Sequence, residues 1–389
     1  MTRKTAAINL IVLVGSAALG LILCEALSRI FLNSSDYLSV EMVQDNVLGA
    51  VPAPGTKAGF DAWGFRNREV PKTADIVAIG DSHTYGNTAT MDESWPYVLG
   101  HLAGQRVYNM GMGGYGPNQY AYLLETRALA LKPRLIICGL YMGDDFENAF
   151  LITHGLDHWA YLRETASENI DPNIWEKPTT PSWHKKIRVW LSRHSVIYQL
   201  LFHGSLVGRL QGQSQIKYAS RLDDAVTSLV IPEKNILEAF RPKSMVKNLD
   251  QESPLVREGM DITFKLLSEM NDVCHRNHIQ FVVAVIPTKE MVFSNYIGHN
   301  PKLSLGGVLD KLLLNEGLAR EKTFRFLADS NISYVDTLPA LRKSVQGELY
   351  ARTAADMHPN KNGYRVIAGA VFEALQQSAR NGAENTTLR

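Results

Sequence analysis

Ile76-Val77-Ala78-Ile79-Gly80-Asp81-Ser82-His83-Thr84-Tyr85-Gly86 is the stretch that decides the fold. A short apolar run ends abruptly at Gly80-Asp81-Ser82, and a further glycine, Gly86, follows four residues after the serine. The run predicts a buried strand and the glycine a sharp exit from it. Such a strand delivers the Ser82 hydroxyl to the carboxyl edge of a sheet, where open α/β folds place their ligands. A serine hydroxyl is a weak nucleophile at neutral pH. Chemistry there requires a base and donors for the developing oxyanion.

Outward from this stretch, strands alternate with helices. Further strands are predicted at Arg106–Asn109, Leu135–Leu140, Gln280–Ile286 and Ser333–Asp336. Helical patterns fall at Trp95–Ala103, Asn118–Leu131, Leu255–Arg276, Leu309–Ala328 and Asn362–Gln377. Continuous apolar strands separated by helices predict a parallel sheet covered on both faces. With right-handed crossovers the result is an α/β fold, a three-layer α/β/α sandwich around a five-stranded parallel sheet. The expected divisions are an N-terminal segment 1–32, a linker and lead-in 33–72, a first part of the domain 73–150, an insertion 151–253, a second part 254–380 and a tail 381–389. The insertion reads as a mostly helical cap carrying Trp159, Trp175, Trp183 and Trp190. Within it His184–His203 is a basic amphipathic helix candidate, suited to a membrane surface or to packing on the domain, with packing favoured.

The chain has 389 residues, 40 basic and 39 acidic, for a formal net charge of +1. That balance leaves no electrostatic footprint for nucleic acid. Cys24, Cys138 and Cys274 are far apart and form neither a disulfide framework nor a zinc ligand set. From Ala6 to Cys24 the chain is apolar apart from Asn9, Ser16 and two glycines, and Arg3 and Lys4 precede it. The length suits a bilayer-spanning helix, and the leading basic residues put the N-terminus in the cytoplasm and the rest outside. A retained signal anchor is the first reading, a single pass through the inner (plasma) membrane with the remainder extracytoplasmic. A cleaved signal peptide is the second and a buried helix the third.

Three further segments fall where a sheet of this kind gathers ligands. Asn109-Met-Gly-Met-Gly-Gly114-Tyr115-Gly116 follows the second strand, and its glycines allow a tight turn with exposed N–H groups. Leu140-Tyr-Met-Gly143-Asp144-Asp145 follows the third, with adjacent carboxylates that suit a metal or a helix cap but show no third ligand nearby. Asp356-Met357-His358 opens the last helix, and a carboxylate two residues before a histidine suits a base and its orienting group. His154 and His158 are four apart, a metal-chelating spacing that lacks a further ligand.

In this order the blocks resemble the SGNH hydrolases, or GDSL esterases. Gly80-Asp81-Ser82 matches the nucleophile block, Gly114 the oxyanion glycine, Gly143-Asp144-Asp145 the Gly-Asn-Asp block, and Asp356-Met357-His358 the final block. Trp63-Gly-Phe-Arg66, the anchor and the Asp–His spacing look like the bacterial membrane-anchored branch related to polysaccharide O-acetyl esterases and acetyltransferases. The resemblance implies a flavodoxin-like fold without cofactor or metal. It implies Ser82 as nucleophile, His358 as base and Asp356 as its orienting acid, with Ser82, Gly114 and Asp144 at the oxyanion hole. His83, Asn109 and Tyr115 are the candidate substrate contacts. The implied substrates are acylated glycans or other acyl esters, and an acyltransferase would also need a membrane acyl-transfer partner.

One position departs from the pattern. Asp144 stands where the family has an asparagine side chain as third oxyanion donor. Losing one such donor costs about two to three orders of magnitude in rate. Either Asp144 is protonated and donates, or the hole works with two donors, or catalysis is impaired or redirected. A non-catalytic glycan-binding or scaffold module and a metal-dependent hydrolase using Asp144, Asp145 and histidines are the competing classes.

Overall fold

The computed structural model describes residues 3–54, 58–163, 182–202, 227–231, 236–297, 307–350 and 356–386. Its strands are β1 (Met42–Asp45), β2 (Gly49–Pro52), β3 (Ile76–Gly80), β4 (Val107–Gly111), β5 (Leu135–Tyr141), β6 (Thr227–Ile231), β7 (Ile236–Phe240), β8 (Gln280–Ile286) and β9 (Ser333–Asp336). The central sheet has the order β4-β3-β5-β8-β9, and every pairing in it is parallel. All five residues of β3 and all seven of β5 are buried, as expected of strands covered on both faces. The chain runs from β3 outward to β4, then crosses back over β3 to β5. That reversal makes a crevice beyond the carboxyl end of β3.

Helix Trp95–Ala103 packs with the C-terminal helix Lys361–Thr386. On the other side, helix Pro254–Arg276 packs against Pro117–Thr126 and Asp145–Gly155. It also meets helix Val308–Asp329 through Phe264 and Phe326, whose rings stack 4.3 Å apart. The three-layer α/β/α sandwich is therefore as the alternating pattern predicts. The predicted helix Asn118–Leu131 ends earlier, at Thr126, and a single tight turn, Ala128–Leu131, carries the chain on.

Residues 33–72 are more than a linker. β1 and β2 form a hairpin, and beyond it the Asp61 carboxylate accepts from Trp63 N, Phe65 N, Asn67 Nδ2 and the Tyr108 hydroxyl, the last at 2.6 Å. Arg66, 4% exposed, donates to the Gly86 and Ala89 carbonyls and lies 4.3 Å over the Tyr85 ring. The lead-in thus grips the segment just after Ser82.

The described part of the insertion is mostly helical, as expected, and adds an antiparallel hairpin of β6 and β7. The candidate helix His184–His203 is two helices, Trp183–His194 and Val196–Phe202, separated at Ser195; His203 lies outside the described residues, as does Trp175. Trp159 is buried and donates to the Val47 carbonyl at 2.8 Å. His154 pairs with Glu258 at 2.7 Å, while the His158 ring meets Trp159 edge-on, so the two histidines serve separate contacts. At the N-terminus, Arg3–Phe31 is one helix, and Ile8–Phe31 is long and apolar enough to cross a membrane.

Candidate active site

Asp81 follows β3 directly and caps the short helix Ser82–Tyr85, its Oδ1 accepting from His83 N at 2.9 Å. Serine and aspartate caps suit the exposed N–H groups of such a turn. The helix lies hard against β4: a Cβ at Gly111 would collide with the backbone of Thr84 and Tyr85. This close approach fixes Ser82 at the sheet edge.

The C-terminal part of the chain brings His358 to Ser82. His358 Nε2 lies 2.8 Å from Ser82 Oγ, and His358 Nδ1 lies 2.7 Å from Asp356 Oδ1. Asp356 Oδ1 also accepts from the His358 N–H at 2.9 Å, which closes a two-residue turn and sets the ring's direction. With Nδ1–H donating to the carboxylate, Nε2 is free to accept the serine proton. The His358 side of this pairing, counteracting burial, holds the Asp356 carboxyl below its ordinary range. Ser82, His358 and Asp356 are 276 and two residues apart in pairs, and the fold joins them in one chain of hydrogen bonds.

Gly114 has a φ of +78°, a left-handed conformation that suits glycine, on the loop after β4. A Cβ at its neighbour Gly113 would stand 3.9 Å from Ser82 Cβ, which puts this loop beside Ser82.

The three expected substrate contacts all have internal partners. Asn109 is 2% exposed, donating to the Thr84 carbonyl at 2.9 Å and accepting from Gly111 N at 2.8 Å. Tyr115 is 3% exposed and its hydroxyl donates to Ala50 O. His83 is buried between Asp81, 3.1 Å from its Nδ1, and the stacked Tyr141 ring at 3.7 Å. Each supports the walls of the site from behind.

Behind the serine lies an acidic cluster. Oxygens of Asp81, Asp144 and Asp145 come within 4.8 Å of one another, so the third carboxyl that the Asp144-Asp145 pair lacks in sequence is Asp81. Asp145 Oδ2 accepts from Tyr141 N and its Oδ1 meets the Tyr120 hydroxyl, both at 2.8 Å, while Asp81 serves His83. With two of its three members committed to internal donors, the cluster is a poor cage for a metal. Burial, then the neighbouring Asp81 charge, pushes both Asp144 and Asp145 well above the carboxylate range. Asp81 is held low in spite of burial by His83, and burial also pushes His83 down. These directions favour a negative charge on Asp81 over one on Asp144 or Asp145. Asp144 Oδ1 is buried and has no partner among the described residues.

Two contributors carry no motif. Asn87 Nδ2 lies 3.4 Å from His358 Nε2, beside the reacting proton. Lys289, 1% exposed, pairs with Glu238 Oε2 at 2.5 Å and donates to the Asp356 carbonyl at 3.4 Å. Asn87 stands five residues after the nucleophile in an unremarkable turn, and an apolar strand followed by Pro-Thr-Lys gives no sign that the lysine is buried.

No family model matches the sequence, and no curated protein matches it. The chain is similar, at low identity, to several solved structures. A G-D-S-L family protein from Desulfitobacterium hafniense DCB-2 is 14% identical, with a TM-score of 0.38, covering 77% of this chain and 98% of its own. A GDSL-like lipase from Bacteroides thetaiotaomicron VPI-5482 is 11% identical, with a TM-score of 0.32, covering 78% and 88%. An acetylxylan esterase from Geobacillus stearothermophilus is 12% identical, with a TM-score of 0.35, covering 78% and 95%. On its own strand order and ordered blocks at Ser82, Gly114, Asp144 and His358, the chain has the fold of the SGNH (GDSL) hydrolases.

Proposed function

We propose that this protein is a serine ester hydrolase or O-acyltransferase working through Ser82, His358 and Asp356. The observation that carries the reading is the hydrogen-bond chain from Ser82 Oγ to His358 Nε2 at 2.8 Å and from His358 Nδ1 to Asp356 at 2.7 Å. Ser82 Oγ attacks an ester carbonyl while its proton passes to Nε2, and the ester C–O bond then breaks as Nε2 returns that proton to the departing alkoxide. Asp356 holds the imidazolium in place. Water attacking the acyl-serine completes hydrolysis; a sugar hydroxyl in its place makes an acyltransferase. The Ser82 and Gly114 N–H groups serve the oxyanion, and a neutral Asp144 donates its proton where an asparagine amide is usual.

The substrate class we infer is an acetyl or other acyl ester of a cell-envelope or exported glycan. Its support is the likeness of Trp63-Gly-Phe-Arg66 and the anchor to the membrane-bound branch, and the apolar span Ile8–Phe31. On this reading the domain is extracytoplasmic on an inner-membrane anchor. Hydrolysis of p-nitrophenyl acetate that disappears in Ser82→Ala is the expected result; unchanged activity would eliminate Ser82 as nucleophile.

The unpartnered Asp144 Oδ1 favours a second reading, a weakly active or non-catalytic glycan-binding module. Asp144→Asn separates the two at neutral pH. Activity created or greatly raised by the amide supports the module, and activity unchanged or reduced supports the neutral acid.

A further inference from the structure

Away from the active site, helix Trp183–His194 presents an apolar face that the described residues leave open. Trp183, Ile187 and Trp190 stand at i, i+4 and i+7 and so share one side of the helix. They are 64%, 49% and 59% exposed. The helix is held from elsewhere on its circumference, Ser192 O accepting from Ser39 N at 2.9 Å and Arg193 pairing with Glu41 at 3.0 Å. Lys185 and Arg188 line a cleft on it with Ser39, Ser182 and Tyr198.

The helix is also bonded to the end of the apolar span. Glu25 accepts from Ser195 Oγ at 2.9 Å, Val196 N at 3.1 Å and Ile197 N at 3.0 Å, which caps helix Val196–Phe202. Arg29, paired with Glu25 at 2.8 Å, donates to His194 O at 2.7 Å and so closes the C-terminal end of Trp183–His194. An anion at one helix start and a cation at the other helix end both complement the helix dipoles. At this end of the span Leu27, Ile30 and Phe31 are more than half exposed. Two apolar surfaces therefore adjoin through a polar clamp.

We propose that Trp183–His194 lies in the interfacial layer of the membrane that Ile8–Phe31 enters. Trp183, Ile187 and Trp190 sit at the boundary of the acyl chains, with lysine and arginine stems reaching the headgroup phosphates. Tryptophan favours that depth, and a basic polar flank opposite an apolar stripe is what an interfacial helix requires. The inference rests on Ile8–Phe31 spanning the membrane. Its consequence is a fixed attitude: the Glu25–Arg29 clamp sets how the domain stands on the bilayer.

The test uses the full chain reconstituted in phosphatidylcholine–phosphatidylglycerol vesicles, with and without brominated phosphatidylcholine. Cys24 is exposed while Cys138 and Cys274 are buried, so a bimane placed on Cys24 reports the span separately. The expected result is quenching of the bimane and of tryptophan emission, with most of the tryptophan quenching lost in Trp183→Phe/Trp190→Phe. A quenched bimane with tryptophan quenching the same in the variant would overturn the interfacial placement and leave the anchor standing. An unquenched bimane would remove the anchor, and this inference with it.

Discussion

The Lys289 ammonium, 2.5 Å from the Glu238 carboxylate, lies directly behind Asp356 and donates to its carbonyl at 3.4 Å. Glu238 belongs to β7 of the insertion hairpin, so a buried ion pair ties the insertion to the loop that carries Asp356 and His358. Removing one partner of a buried ion pair costs about 3–5 kcal/mol. Lys289→Met is expected to lower the melting temperature and to lower kcat with KM little changed. In Lys289→Met/Glu238→Met the stability returns, because neither charge of the pair stays buried, but kcat stays low. Thermal melts beside steady-state kinetics on an acetyl ester check this; recovery of both together would mean that the pair serves stability alone.

The acidic cluster predicts an alkaline limit to activity. Burial and the Asp81 charge keep Asp144 neutral well above the usual carboxylate range, and it is the neutral form that donates. Activity therefore falls as pH rises through the raised Asp144 pKa. Asp144→Asn cannot ionise and is expected to abolish that fall, whereas Asp144→Ala loses about two to three orders of magnitude in kcat at neutral pH. A pH–rate profile identical in wild type and Asp144→Asn would refute the assignment.

The same shift acts on stability. A carboxyl whose folded pKa is raised gives stability that is fully present below its unfolded pKa of 3.8 and is lost as pH rises through the folded pKa. Asp144→Asn is thus expected to be more stable than wild type at neutral pH, with the gap closing under acid conditions. Urea unfolding midpoints across pH 4 to 8 measure it.

Asn87 sits beside His358 Nε2 without being part of the triad. Asn87→Ala deletes a single neutral hydrogen bond, worth about 1 kcal/mol, so kcat should drop several-fold while the fold persists. Circular dichroism together with initial rates is sufficient; a loss as deep as that of Ser82→Ala would make Asn87 far more than an accessory donor.

Much of this molecule is legible where the relevant contacts are short in sequence. The run Ile76–Ile79 is buried on both faces, and burial leaves the same apolar signature whatever surrounds it. Asp356 and His358 are joined by a turn two residues long, so their relation is written locally. Asn109 and Tyr115 read as ligand contacts because a glycine-rich loop after a strand exposes its groups; that Thr84 and Gly111 engage the Asn109 side chain and Ala50 the Tyr115 hydroxyl is a fact of tertiary packing. Lys289 is harder still. Its partner Glu238 comes from an insertion 51 residues before it, and no periodicity marks a lone lysine for burial. Asp144 is the reverse case: the sequence locates the anomaly, and the proximity of Asp81 explains how it is tolerated.

Asp61 and Arg66 carry a practical consequence for where this protein can be cut. Asp61 holds Tyr108 of β4, and Arg66 holds the carbonyls of Gly86 and Ala89 while its Nε approaches Asp36 at 3.9 Å. A fragment starting at residue 73 would begin at the expected edge of the domain yet discard the buckle that closes the turn behind Ser82. A fragment that keeps all of these contacts starts upstream of Asp36, within a few residues of the end of the apolar helix Arg3–Phe31.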